Sequence, residues 1–215
     1  MLNQIKGLHH VTSLASGARE NNDFFTKTLG LRRVKKTVNY DAPDVYHLYY
    51  GDEQGTPGSV MTYFPFPNAR PGRHGAGEVS TTSFAVPTGT LPAWQERLGN
   101  LGVTGLSTDT RFGENRLLFD GPDGDGFALV EADDDRAPWT GDGVGSDTAI
   151  RGFHGAAMRL HDADATSELM QFMGYEVVDR ADGVTRLSVP HGNGADVIAL
   201  EAIPSAEWAQ QGAGS

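Results

Sequence analysis

Three stretches of the chain repeat one order of apolar and polar positions. In the first, LHHVTSLA (8–15) alternates as a strand, RENNDFFTKTL (19–29) carries apolar residues at helical spacing, and LRRVKKTV (31–38), VYHLYYG (45–51) and SVMTYFPF (59–66) read as three more strands. The second has VSTTSFAV (79–86), the helical LPAWQERLGNL (91–101), then VTGLSTD, NRLLFDG and GFALVEA. The third has GFHGAAMRL (152–160), the helical ADATSELMQFM (163–173), then YEVVDRA, TRLSVPHG and DVIALEAI (196–203). Each predicted helix ends in an apolar residue plus glycine, at Gly30, Gly102 and Gly174, with 72 residues between successive glycines. Glycine just past a helix end takes the left-handed conformation without a Cβ clash, so each is a stop signal. The pattern predicts an α+β fold of three tandem βαβββ modules, at 1–66, 79–132 and 150–203. Linkers span 67–78 and 133–149, and a tail follows at 204–215. Each module leaves a sheet face that it cannot bury alone. Paired modules would therefore curl into cups of mixed sheet with the helices outside.

Composition narrows the function classes. The 215 residues carry a net charge of −11, and residues 1–75 hold 9 basic and 6 acidic side chains against 8 and 22 in the remainder. Such an acidic surface repels phosphate backbones and anionic lipid, which argues against nucleic-acid and membrane partners. No apolar stretch approaches the roughly 20 residues of a membrane helix, and the N-terminus lacks a signal-peptide pattern, so a cytoplasmic protein is expected. With no cysteine, any metal site must use His, Asp and Glu.

His9 and His10 in the first predicted strand are the most informative polar residues. Strand alternation sends the two to opposite faces. His10 and Thr12 form the more polar set and are placed inside the cup, whereas His9 is grouped with Val11. Read alone, the pair is better explained as two structural histidines. His47 could line the cup or sit in the core of its strand. Arg32, Arg33, Lys35 and Lys36 could steer an anionic aromatic or simply solvate a strand. Glu131 and Glu201, in last strands of their modules, are carboxylate candidates that also read as outward-facing residues, and Asp133, Asp134 and Asp135 read as a solvated linker. GPDGDG (121–126) fails as a calcium loop because Phe127 stands at its fifth position, and reads as a β-turn.

LHHVT, DFFTKTLGLRRVKKTVNYD, YHLYYGDEQGTPG and TYFPFP together resemble the N-terminal module of the vicinal oxygen chelate superfamily, closest to ring-cleaving dioxygenases of hydroquinone-type rings. This resemblance implies a non-haem Fe(II) or Mn(II) centre held by two histidines and a glutamate, with a small aromatic substrate and O₂ on adjacent open positions. By the same resemblance His10 is a metal ligand, while His9 and Thr12 orient the substrate or that ligand. The family places its other two ligands in a fourth module, which has no counterpart here; the alignment of IRGFHGAA on IKGLHHVT sets Gly155 opposite His10. An odd number of modules leaves one sheet uncovered, so a homodimer is expected.

Overall fold

The computed structural model describes residues 4–214, so Met1, Leu2, Asn3 and Ser215 of the expected first module and tail lie outside the described residues. The element order is three times βαβββ. The first module comprises β1 (His10–Ala15), α1 (Ala18–Asp23), β2 (Arg32–Val38), β3 (Tyr46–Gly51) and β4 (Val60–Pro65). The second is β5 (Glu78–Val86), α2 (Leu91–Asn100), β6 (Ser107–Arg111), β7 (Glu114–Asp120) and β8 (Gly126–Glu131). The third is β9 (Gly152–Leu160), α3 (Asp164–Phe172), β10 (Glu176–Ala181), β11 (Val184–Ser188) and β12 (Val197–Ala202). Among the described residues no helix is long and apolar enough to cross a membrane.

The single helix expected over 19–29 is instead α1 followed by one wider turn at Phe24–Thr28, closed by Leu29 N–H donating to the Phe24 carbonyl at 3.0 Å. The extra residue in that turn sends Phe24 and Phe25 together into the core. Gly30, Gly102 and Gly174 all have positive φ, as helix stops require.

The modules join unequally. The second and third share an eight-stranded sheet ordered β10-β11-β12-β9-β5-β8-β7-β6, joined by antiparallel pairing of β5 with β9. The first forms its own four-stranded sheet, ordered β1-β4-β3-β2. Its helix packs against the second module: the Phe127 ring lies within 5.7–6.0 Å of those of Phe24, Phe25, Phe84 and Phe119, and all five are buried. A second core gathers Ile5 and Leu8 with Tyr175, Leu187 and Leu200 of the third module.

The tail does not hang free. It runs beside the first linker through bridges Pro71↔Ala213, Arg73↔Gln210 and Ala76↔Trp208. Gly77 N–H, leading into β5, donates to the Arg159 carbonyl of β9 at 2.7 Å; Gly214 N–H donates to the Leu14 carbonyl of β1 at 3.0 Å. The chain thus meets the open edge of β1 as it meets β9 where the eight-stranded sheet is joined.

Several acidic residues are less solvated than their sequence context suggests. Asp134 is buried against Arg136 rather than forming part of a free linker, its side chain only 10% exposed. Glu131 does not face outward freely: it accepts from Gly89 N–H at 2.7 Å and from Leu91 N–H at the start of α2. Glu201 joins Arg111 at 2.7 Å across the junction of the second and third modules, and Arg159 of its own module at 3.3 Å. Glu114 spans the same junction, to Arg186 at 2.6 Å and His154 at 3.1 Å. Burial pushes the Glu114 carboxyl up, but hydrogen bonds from His154 and Arg186 outweigh it and bring the pKa down to about 2. A depressed folded-state pKa contributes stability above the unfolded value, lost as pH falls from about 4.3 toward 2. Glu114→Gln is therefore expected to flatten the pH dependence of urea unfolding between about pH 5 and 2. An unchanged slope would show that the bridge contributes nothing to acid sensitivity.

Candidate active site

Cross-strand register sets the open face of the four-stranded sheet. His10 pairs with Val60, Thr12 with Thr62 and Leu14 with Phe64, and Tyr49 stands opposite Thr62. Side chains alternate along each strand, so His10, Thr12, Leu14, Val60, Thr62, Phe64, His47 and Tyr49 share one face. Met61, Tyr63, Leu48 and Tyr50 fill the helix side and are buried. A register shift between Arg33 and Lys35 inserts a bulge, after which Lys35 stands opposite Tyr49 and Thr37 opposite His47. The result is a polar row across four strands, Thr12–Thr62–Tyr49–Lys35, beside His10. Thr12 and Thr62 hydroxyls lie 2.8 Å apart, and Tyr49 OH lies 2.8 Å from His47 Nδ1.

His10 is exposed on this face, as alternation requires. His9, however, does not diverge from it: the two Nδ1 atoms are 3.0 Å apart, with the rings edge to face at 5.2 Å between centroids. The reason is that His9 precedes the first paired residue of β1, where alternation no longer governs. Two imidazolium rings cannot make this contact, because one Nδ1 must accept the other's proton. Partial burial, and next the neighbouring His9, hold the His10 pKa below its usual value, which favours the neutral form. A neutral His10 donating Nδ1–H to His9 leaves its Nε2 lone pair available to a cation.

His47 lies on the open face, not in the core, with its ring centroid 4.1 Å from Tyr49 and 4.0 Å from Phe64. Burial first, then the charges of His10 and Lys35, lower its pKa. Its Nε2 is shielded from water without a protein partner. Sequence reasoning passed over Tyr49 and Phe64; their signal was the i, i+2 alternation of YHLYYG and VMTYFP.

The concave face of the eight-stranded sheet has no equivalent of His10. Gly155 holds that place, and a Cβ there would collide with the Val197 carbonyl, so the backbone approach itself forbids a ligating side chain. Instead the Glu114 and Glu201 ion pairs close this face. Among the described residues no three His, Cys, Asp or Glu side chains converge as a metal site.

No protein-family model matches the chain. It is 42% identical over 185 residues to the Bacillus subtilis protein named ring-cleaving dioxygenase MhqE, covering 85% of this chain and 61% of that one. Over 217 residues it is 39% identical to B. subtilis ring-cleaving dioxygenase MhqO, covering 100% of this chain and 69% of the relative. It shares 42% identity over 173 residues with chlorohydroquinone/hydroquinone 1,2-dioxygenase of Sphingobium indicum, covering 78% and 54%. A B. subtilis crystal structure named as a dioxygenase superposes with a TM-score of 0.94 at 39% identity, covering 99% of this chain and 68% of that one. The chain thus spans between about half and two thirds of the length of these relatives.

Proposed function

The chain belongs to the ring-cleaving dioxygenases of the vicinal oxygen chelate superfamily, and from that premise we propose that it binds a hydroquinone- or catechol-type ring for cleavage with O₂ at a non-haem Fe(II) or Mn(II) ion. The observation that carries this reading is the open face of the first sheet, where an exposed His10 stands beside a row of hydroxyls. The names of the relatives, one of which acts on hydroquinones, support the substrate class.

Within this proposal His10 is a metal ligand and His9 holds its tautomer, while Thr12, braced by Thr62, orients a ring hydroxyl. The described residues do not by themselves fit a three-ligand metal centre, since no three His, Asp or Glu side chains among them converge. The remaining ligands would have to come from outside these residues. The same uncovered face is where a second copy would pack, and a homodimer is part of the proposal.

The test is anaerobic reconstitution with Fe(II), elemental analysis and O₂ uptake with hydroquinone and catechol, with light scattering on the same sample. With the remaining ligands supplied from outside these residues, uptake that His10→Ala lowers by about 100-fold or more is expected, because ligand number and geometry set metal affinity. No uptake together with no stoichiometric metal would overturn the catalytic reading. The lack of converging ligands favours, in that event, a ring-binding protein without catalysis.

A further inference from the structure

We propose that Lys35 selects rings bearing an anionic substituent, so that the preferred ligand is a dihydroxy aromatic carboxylate and not a neutral hydroquinone. The proposal rests on the ring-binding function above and concerns the outer end of the same face.

Four basic side chains crowd β2, and the structure separates their roles. Arg32 donates to the Glu53 carbonyl and stacks on Trp139 at 5.7 Å. Arg33 donates to Asn22 at 3.2 Å, on the helix side. Lys36 covers Tyr46, its Nζ 3.9 Å from the ring centroid. Lys35 is exposed and lies over Tyr49, its Nζ 5.5 Å from the ring centroid. Among the described residues it has no carboxylate and no hydrogen-bond acceptor.

The bulge after Arg33 decides this placement. Without it Val34 would stand opposite Tyr49 in the row, and Lys35 would alternate to the helix side opposite Leu48.

The charge balance of the face is the second observation. The strands RRVKKTV, YHLYYG, VMTYFP and HVTSLA contain no Asp or Glu, in a protein that holds 28 acidic residues. A cationic end on a carboxylate-free face inside an acidic protein attracts anions to this place and repels them elsewhere. Thr12 and Lys35 stand three strand spacings apart, roughly 14 Å between backbones. Lys35 leans back along the row over Tyr49. That span suits a ring with its hydroxyls toward His10 and Thr12 and a carboxylate on the opposite side.

The experiment measures binding of hydroquinone and 2,5-dihydroxybenzoate to the full chain by calorimetry at low ionic strength, for the wild type, Lys35→Gln and Lys35→Arg. The wild type is expected to bind the carboxylate about tenfold more tightly, a preference that shrinks as salt is raised. Lys35→Gln should bring the ratio to about one, and Lys35→Arg should restore it. Circular dichroism confirms that the variants fold. A carboxylate preference that survives Lys35→Gln, or no preference in the wild type, overturns the proposal and leaves the ring-binding function standing. Failure of the wild type to bind either compound overturns both.

Discussion

Replacing Arg136 with methionine is expected to cost about 3–5 kcal/mol of stability, the range for removing one partner of a buried ion pair. The guanidinium is 25% exposed and its partner Asp134 only 10%. It donates to both Asp134 carboxylate oxygens at 2.5–3.0 Å and to the carbonyls of Phe153 at 2.7 Å, Gly194 at 3.2 Å and Gly58 at 3.4 Å. Those carbonyls belong to the first and third modules, so one side chain of the second linker ties the two together. Methionine matches the length of the stem but leaves Asp134 charged and the carbonyls without this donor. Burial raises the Asp134 pKa, yet the Arg136 hydrogen bonds outweigh it and hold the carboxyl below its usual value. Without the guanidinium the burial effect would be opposed only by the backbone N–H of residue 136 and the charge of Arg151. The check is urea unfolding at pH 7, where the midpoint should fall at constant slope. The double change Asp134→Asn with Arg136→Met should be milder than the single one, because no unpaired charge is left. A loss below about 1 kcal/mol would place this pair with ordinary surface bridges.

Phe127→Ala is expected to cost a similar 3–5 kcal/mol. The ring is 1% exposed and is shared by the first and second modules, meeting Phe24 and Phe25 on one side and Phe84 and Phe119 on the other. Alanine removes these edge, tilted and stacked ring contacts together and leaves a cavity between modules that neither can close without shifting. Phe127→Leu, which fills most of the volume, should lose markedly less. Guanidinium unfolding followed by both tryptophan fluorescence and circular dichroism would show the loss. Equal stability of the alanine and leucine variants would mean that the site collapses and that the aromatic contacts contribute little.

Much of the architecture was legible in the sequence because its signals are local. Each strand shows its period in a few residues, each helix ends at a glycine whose positive φ was implied, and the 72-residue spacing exposed the repeat. The same alternation put His10 and Thr12 on the open face. It failed for His9, which lies just before the ladder, and for α1, where a wider turn replaced regular helix.

What only the tertiary structure decided are the relations between distant segments. Whether β5 would pair with β9 depends on shapes brought together from residues 78 and 159, and no local pattern encodes that choice. The partners of Asp134, Glu131 and Glu201 follow from the assembled modules, because a carboxylate's environment is set by what folding places beside it. Lys35 shows the division most sharply. Its charge is written in the sequence, while the face that receives it was set by one bulge, since a single extra residue in a strand of period two exchanges the sides of every residue beyond it.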